Sequence, residues 1–133
     1  MIADDMSEQT GLRDRRILVV DDNVDAASSM AELLRLMGND VRCSHDGPAA
    51  LGIVKEYRPD MVLVDIGLPG MTGHDVVREI RRESGDGKML IVALSGYGSQ
   101  EHRRQSIESG CDAHFVKPMS LSQLQEFAAS RGC

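Results

Sequence analysis

The stretch that decides the fold is residues 61–70, which read Met-Val-Leu-Val-Asp-Ile-Gly-Leu-Pro-Gly. Its first four residues are all apolar, and a turn-forming group that contains Asp, Gly and Pro follows at once. Such a run predicts a short buried strand that ends in a turn. Strands that are apolar at every position are typical of the middle of a parallel sheet, where helices cover both faces. The stretch therefore predicts a central parallel strand with Asp65 at its carboxyl end.

The same pattern repeats on both sides of this stretch, because short apolar runs alternate with segments of helical periodicity. The predicted strands are Ile17 to Val20, Val41 to Cys43, Met61 to Val64, Met89 to Leu94 and His114 to Val116. The predicted helices are Val24 to Met37, Pro48 to Tyr57, His74 to Glu83, Gln100 to Ser109 and Leu121 to Ser130. Five βα units predict an α/β fold with a five-stranded parallel sheet and helices on both faces.

Two details of the pattern predict how elements pack. The second strand is short and mixed with the polar Arg42 and Ser44, which predicts a place near the edge of the sheet. The first helix carries apolar residues on a predicted inward face. These residues are Met30, Leu33, Leu34 and Met37.

Length and composition limit the possible functions. At 133 residues the chain has the length of about one domain, and we expect residues 1–14 to form a flexible tail and residues 15–133 the domain. The net charge of −6 disfavours a nucleic-acid surface, which needs clustered Lys and Arg. The cysteines form no CxxC pair, and no apolar run suits a signal peptide or membrane span. These features predict a cytoplasmic protein, a single domain whose partner is another protein.

Carboxylates follow the first and third predicted strands, as Asp21 and Asp22 in one case and Asp65 in the other. In doubly wound sheets, ligands gather at the carboxyl ends of the strands, so we expect these acids to lie together. Three carboxylates close together repel one another, and an all-oxygen site with room for water suits Mg²⁺. An alternative is that the aspartate pair only caps the helix that begins near Val24.

A hydroxyl and an ammonium stand at the ends of the fourth and fifth predicted strands. Ser95 ends the fourth strand before Gly96, and Lys117 ends the fifth. Taken alone, Ser95 would be a turn residue and Lys117 a solvated strand end. Their joint placement with the acids predicts a site at which a phosphate group meets carboxylates, a hydroxyl and a lysine.

With these residues in place, residues 15 to about 130 resemble the receiver domain of two-component response regulators, above all receivers attached to hybrid sensor kinases. The resemblance implies a flavodoxin-like sheet in the order 2-1-3-4-5. It implies that Asp65 accepts a phosphoryl group from a histidine kinase or a histidine phosphotransfer protein. It also implies that Asp22, Asp65 and the backbone carbonyl of Gly67 bind Mg²⁺ directly, and that Asp21 acts through a coordinated water.

The resemblance further implies a switch. Lys117 would stabilise the transferred phosphoryl group, and Ser95 would move toward it and signal through the face made by the fourth and fifth helices and the fifth strand. Tyr97 would flank the site. The switch position on the fifth strand, aromatic in the family, is His114 here. Since histidine titrates near neutral pH, one expectation is a pH-sensitive switch. The alternative is an inert imidazole that faces solvent.

The resemblance implies a phospho-acceptor that is not an enzyme with a separate substrate, acting as a monomer or weak homodimer on a downstream protein target. A haloacid-dehalogenase-like phosphohydrolase would need a second acid where Gly67 stands. A flavodoxin-like flavin carrier would place its phosphate against Asp21 and Asp22. The alternative that stays open is a receiver-fold interaction module that works without phosphorylation.

Overall fold

The structure, a computed structural model, describes residues 12–84, 89–96 and 100–131. Within these ranges, strands and helices alternate as predicted. The strands are β1 (Arg16–Val20), β2 (Asp40–Ser44), β3 (Met61–Asp65), β4 (Leu90–Ser95) and β5 (Ala113–Val116). The helices are α1 (Val24–Leu36), α2 (Gly47–Tyr57), α3 (Gly73–Ser84), α4 (Gln100–Ser109) and α5 (Leu121–Arg131). Each predicted element is confirmed, with bounds that shift by one residue at most at either end.

The five strands form one parallel sheet in the order β2-β1-β3-β4-β5. This confirms the implied order, and β2 lies at an edge as its mixed sequence predicted. Arg42 of β2 is exposed, whereas all five residues of the central strand β3 are buried. The deciding stretch is therefore the middle of the sheet, with Asp65 as its last strand residue.

Alternate residues of the strands point to opposite faces of the sheet, and each face has its own apolar core. On one face, α1 and α5 pack through Ala27, Ala31, Leu34, Leu124 and Ala128 against Ile17, Val19, Leu63 and Val92. On the other face, α2 and α3 pack through Ala50, Val76, Val77 and Ile80 against Leu18, Val20, Val62 and Val64. Within the described ranges, no helix is both long enough and apolar enough to cross a membrane.

The predicted inward face of α1 is wrong in part. Leu33 is 44% exposed, while Ala27, Ala31 and Leu34 are the buried residues of this helix. These three lie four and three positions apart and so share one stripe of the helix, whereas Leu33 is turned about 100° away from Leu34. Small alanines face the sheet here because they let the helix approach it closely.

The packed part of the chain begins earlier than the predicted domain boundary at residue 15. Leu12 is 1% exposed and belongs to the core on the α1 face. The buried side chain of Asn39 donates to the carbonyls of Leu12 and Leu34 and accepts from the Arg15 N–H. These bonds tie the segment before β1 to the end of α1, so residues 12–14 pack with the domain. Residues 1–11 of the predicted tail lie outside the described ranges.

Helix α4 packs on the sheet through small polar residues. Its buried residues are Ser106 and Ser109, while Ile107 is 67% exposed. Buried hydroxyls need hydrogen-bond partners, so the contacts of these serines decide how α4 is held.

Candidate functional site

Carboxylates from two neighbouring strands converge at one edge of the sheet. β1 and β3 pair in parallel with Val20 opposite Val64, so the next residues, Asp21 and Asp65, lie side by side. One carboxylate oxygen from each of Asp21, Asp22 and Asp65 lies within 4.8 Å of the others. Asp21 and Asp65 are buried, and Asp22 is exposed. The structure therefore brings together the three acids singled out in the sequence.

Helix α1 is capped by Asn23 and not by the aspartate pair. Oδ1 of Asn23 accepts a hydrogen bond from the backbone N–H of Ala26 at 3.0 Å. Oδ1 of Asp21 accepts from the backbone N–H of Asn23 at 3.0 Å, which fixes the carboxylate at the strand end. The capping explanation for Asp21 and Asp22 is therefore wrong, and the cluster needs another reason.

The loops around the cluster orient its carboxylates. The backbone N–H of Gly67 donates to Oδ1 of Asp65 at 2.8 Å, and a Cβ at position 67 would lie 3.3 Å from that oxygen. Nδ1 of His45 donates to the carbonyl of Asp21 at 3.0 Å. A Cβ at Gly73 would lie 2.5 Å from the carbonyl oxygen of Asp65, so only glycine lets α3 begin against this loop. The sequence analysis missed His45 and Gly73, whose contacts depend on the tertiary fold.

Lys117 reaches the two buried carboxylates. Its Nζ donates to Oδ2 of Asp21 and to Oδ2 of Asp65, at 3.0 Å in both cases. Burial by itself lowers the pKa of Lys117, but the hydrogen bonds to Asp65 and Asp21 outweigh it, so the net pKa is raised. The ammonium therefore stays charged at neutral pH and bridges the ends of β1 and β3.

One ammonium does not balance three carboxylates, so the cluster keeps an excess of negative charge. Its donor atoms are all oxygens, and two of the three carboxylates are already held by hydrogen bonds from the backbone. Hard divalent cations prefer such oxygen ligands. Asp21, Asp22 and Asp65 therefore fit a metal site, and the role expected of the Gly67 carbonyl stays a prediction.

Ser95 and His114 contact each other beside this cluster. Ser95 is 2% exposed, His114 is 7% exposed, and Oγ of Ser95 lies 2.9 Å from Nε2 of His114. The expectation of an imidazole that faces solvent is therefore wrong, because its ring lies between β4 and α4. The pH-sensitive switch stays a prediction. Tyr97, expected to flank the site, lies outside the described residues.

Two further buried residues continue this contact away from the carboxylates. Nδ1 of His114 lies 2.7 Å from Oγ of Ser106 on α4, and the same oxygen lies 2.8 Å from Nε2 of His74 on α3. Ser106 is 0% exposed and His74 is 8% exposed. The sequence analysis singled out neither residue. In the sequence each is only a polar residue on a predicted helix that packs against the sheet.

A cavity of about 500 Å³ opens beside the cluster, and its lining includes Asp65, His74, Arg78 and His102. Burial lowers the pKa of His74 from the ordinary value of 6.5, electrostatic interactions with Arg78 and His102 lower it further, and Asp75 has a smaller opposite effect. His74 is therefore neutral at pH 7. The cavity has room for a phosphate-sized group next to the Asp65 carboxylate.

Known proteins match this chain over most of its length. It is 37% identical over 115 residues to the transcriptional regulatory protein PrrA of Mycobacterium tuberculosis, covering 86% of this chain and 48% of that protein. It is 41% identical over 110 residues to the DNA-binding response regulator MtrA of Mycobacterium leprae, covering 83% of this chain and 48% of that protein. The chain thus spans about half the length of these curated relatives.

Solved structures match as well. The receiver domain of Ssk1 from Saccharomyces cerevisiae, in a co-crystal with the histidine phosphotransfer protein Ypd1, has a TM-score of 0.83 and 26% identity, covering 91% of this chain and 90% of that one. A response regulator receiver domain protein from Methanospirillum hungatei has a TM-score of 0.79 and 26% identity, covering 89% of this chain and 96% of that one. The likeness to receivers of hybrid sensor kinases stays a prediction.

The family assignment rests on the whole length of the fold. Residues 17–129 match the response regulator receiver domain, from the first strand to the last helix. The sheet order and the cluster of three acids agree with that match. The chain therefore belongs to the receiver domain family of response regulators.

Proposed function

We propose that this receiver domain is a phosphorylation switch in which Asp65 accepts a phosphoryl group. The observation that carries the proposal is the ammonium of Lys117, which lies 3.0 Å from an oxygen of Asp65 and of Asp21. Phosphoryl transfer depends on charge balance around the phosphoryl oxygens and on a nucleophile held in line. Lys117 contributes to both, because it carries positive charge and fixes the carboxylate of Asp65.

The reaction is a displacement at phosphorus. A carboxylate oxygen of Asp65 attacks the phosphorus atom of a phosphohistidine, a new O–P bond forms, and the P–N bond breaks with its electron pair going to the imidazole nitrogen. The Gly67 N–H and the Lys117 ammonium hold the two oxygens of the carboxylate before the attack. Ser95 then donates a hydrogen bond to a phosphoryl oxygen, and the only turnover is phosphorylation and dephosphorylation of the domain itself.

Asp22, Asp65 and the carbonyl of Gly67 would hold Mg²⁺ directly, and Asp21 would hold it through a coordinated water. When bound, Mg²⁺ supplies positive charge to the phosphoryl oxygens. The support for this assignment is the all-oxygen set of the three carboxylates within 4.8 Å of one another and its excess of negative charge.

We infer that the phosphoryl donor is a histidine kinase or a histidine phosphotransfer protein. The likeness to the Ssk1 receiver, which was crystallised with the phosphotransfer protein Ypd1, supports this inference. We further propose that the phosphorylated domain contacts a downstream protein through α4, β5 and α5, and that it acts in the cytoplasm as a monomer or weak homodimer. The DNA binding named for MtrA is a property of that longer protein.

The direct test is intact mass spectrometry after incubation with Mg²⁺ and acetyl phosphate. The wild type should gain the mass of one phosphoryl group, and Asp65→Asn should gain none, because the amide is a poor nucleophile in the same position. Asp25→Asn is the matched control, since Asp25 is an exposed aspartate in the first turn of α1, beyond the cluster. This control should gain one phosphoryl group as the wild type does.

Two other outcomes would contradict the proposal. Equal mass gain in wild type and Asp65→Asn would place the acceptor elsewhere in the chain. No gain in any variant, with Mg²⁺ and a histidine phosphotransfer donor also supplied, would favour an interaction module that works without phosphorylation.

A further inference from the structure

A chain of three hydrogen bonds runs from the phosphoryl-acceptor edge to the interface between α3 and α4. It joins Ser95 to His114 at 2.9 Å, His114 to Ser106 at 2.7 Å, and Ser106 to His74 at 2.8 Å. Each residue is on a different element, and all four are buried. Such a buried chain is held only if each donor meets an acceptor, so the positions of its protons are coupled.

The tautomer of His114 decides the direction of the whole chain. A neutral imidazole has one donor nitrogen and one acceptor nitrogen, and a hydroxyl has a single proton to donate. If the proton is on Nδ1 of His114, then Nε2 must accept the proton of Ser95. If it is on Nε2, His114 donates to Ser95, and Nδ1 must accept the proton of Ser106, whose oxygen is then free to accept from Nε2 of His74.

Only the second arrangement leaves the Ser95 proton uncommitted to His114. This matters because Ser95 lines the same cavity as Asp65 and stands one position beyond Leu94, the register partner of Asp65 in β4. A phosphoryl group on Asp65 offers three acceptor oxygens and no donor. Ser95 can therefore bond such a group and keep its contact with His114 only when His114 carries its proton on Nε2.

We propose that Ser106 and His74 are positioning residues that hold His114 as the Nε2–H tautomer, and so direct the Ser95 hydroxyl proton toward the phosphoryl group. The relay consists of His74, Ser106 and His114, with Ser95 as its receiving end. This inference rests on the proposed phosphorylation of Asp65 and deepens it. It assigns a role in phosphoryl binding to two residues that act through His114, to which they are joined by hydrogen bonds.

The position of His74 at the start of α3 also connects the relay to Asp65. His74 directly follows Gly73, where a Cβ would meet the carbonyl oxygen of Asp65 at 2.5 Å, so the start of α3 is in van der Waals contact with the acceptor residue. Ser106 lies on α4, the helix that follows β4 in the chain, and Ser95 is the last residue of β4. Phosphorylation therefore acts on both ends of the relay, through Ser95 and through the start of α3.

The test reads the tautomer and the affinity separately, on the full chain. In ¹⁵N-histidine NMR spectra at slightly alkaline pH, His114 of the wild type bound to Mg²⁺ and beryllium fluoride, a phosphoryl analogue, should show a protonated Nε2 and a bare Nδ1. Ser106→Ala should lose this preference and bind the analogue roughly fivefold more weakly, the effect of one hydrogen bond. Ser106→Thr should restore both, since it keeps the hydroxyl.

A matched control and a second variant separate positioning from folding. Ser109 is also a buried serine of α4, but its hydroxyl donates to the backbone carbonyl of Ser106 and lies outside the relay. Ser109→Ala should leave the His114 tautomer and the affinity unchanged. If Ser106→Ala does not fold, His74→Phe should give the same losses by removing the first donor, and His74→Gln should retain wild-type behaviour by keeping an N–H there.

The outcomes distinguish this inference from the function on which it rests. A wild type that binds the analogue with the proton of His114 on Nδ1 overturns the relay alone. So does a Ser106→Ala protein that behaves like Ser109→Ala, or a His74→Phe protein that behaves like His74→Gln. A wild type that neither binds the analogue nor takes up phosphate contradicts the proposed function, and the relay is then rejected with it.

Discussion

The contribution of Lys117 to the site can be measured as a coupling free energy with Asp65. The perturbations are Lys117→Met, Asp65→Asn and the double variant, in a buffer with a chelator and no divalent cation. Nζ of Lys117 makes two contacts of 3.0 Å with carboxylates that are 8% and 13% exposed, while its own side chain is 34% exposed. Solvent therefore screens the lysine in part, and the contacts are worth less than those of a fully buried pair.

The expected magnitude follows from these contacts. At about 1.5 kcal/mol for each bond, the low end for hydrogen bonds to charged groups, Lys117→Met should lower the free energy of unfolding by about 3 kcal/mol. In the Asp65→Asn protein, Lys117 keeps a charged partner only in Asp21. Lys117→Met should therefore cost about half as much in that protein as in the wild type. The coupling between Lys117 and Asp65 is then about 1.5 kcal/mol.

Urea unfolding followed by circular dichroism measures all four proteins. A loss of about 3 kcal/mol lowers the urea midpoint by roughly 1 to 3 M, given the dependence of unfolding free energy on urea concentration that is usual for small proteins. Lys55→Met is the matched control, because Lys55 pairs with Glu83 at 3.3 Å with side chains that are 66% and 39% exposed. It should cost less than about 1 kcal/mol, as exposed pairs do.

Divalent cations provide the second arm of this experiment. Mg²⁺ in place of the chelator should reduce the cost of Lys117→Met, since a cation held by the carboxylates compensates the charge that the lysine leaves behind. A coupling within about 0.5 kcal/mol of zero in the chelated protein is ordinary additivity between independent sites. That result would refute the view that Lys117 balances the charge of the cluster.

Two other predictions concern residues behind the site. Arg81→Met should lower the free energy of unfolding in urea by about 3 kcal/mol, because it removes a partly buried ion pair with Asp112. In this pair a guanidinium nitrogen of Arg81 lies 2.8 Å from Oδ2 of Asp112, and the two side chains are 20% and 16% exposed. Arg78→Met, at an exposed position of the same helix, should cost less than about 1 kcal/mol, and equal costs for the two variants would contradict a stabilising role of the Arg81–Asp112 pair. The lowered pKa of His74 means that the unfolded chain binds its proton first as pH falls through 6.5, so stability declines toward pH 5, and the decline should be smaller in His74→Gln. Equal slopes of unfolding free energy against pH in the two proteins would show that His74 does not contribute.

The order of elements was predictable because short apolar runs alternate with segments of helical periodicity along the sequence. β3 is apolar at four positions and buried at all five, and the chain then turns at Gly67. The site residues were predictable for the same reason, since Asp21, Asp65 and Lys117 each stand where a parallel strand ends. Alternation of strand and helix fixes which end of the sheet they share, before any distance is known.

Contacts that depend on how closely a helix packs against the sheet or against another helix were not predictable in this way. Ala27 and Ala31 face the sheet in preference to the larger Leu33, because the close approach of α1 favours small side chains. His74 and Ser106 are 32 positions apart, and their contact exists only because α3 and α4 pack side by side. A polar residue on a helix ordinarily predicts solvent, and burial of this pair depends on partners that the local sequence does not show.

The histidine on β5 is best understood together with the serine on α4. Ser106 is 0% exposed and lies between two imidazole nitrogens, so its hydroxyl is satisfied by the same residues that it satisfies. A Phe side chain at position 114 would remove one hydrogen-bond partner of both Ser95 and Ser106 at once, and the loss of hydrogen bonds between buried groups is destabilising. His114 is therefore not a neutral stand-in for the aromatic residue of the family. It belongs to a buried hydrogen-bonded set with Ser106 and His74, so a change at one member alters the partners of the others.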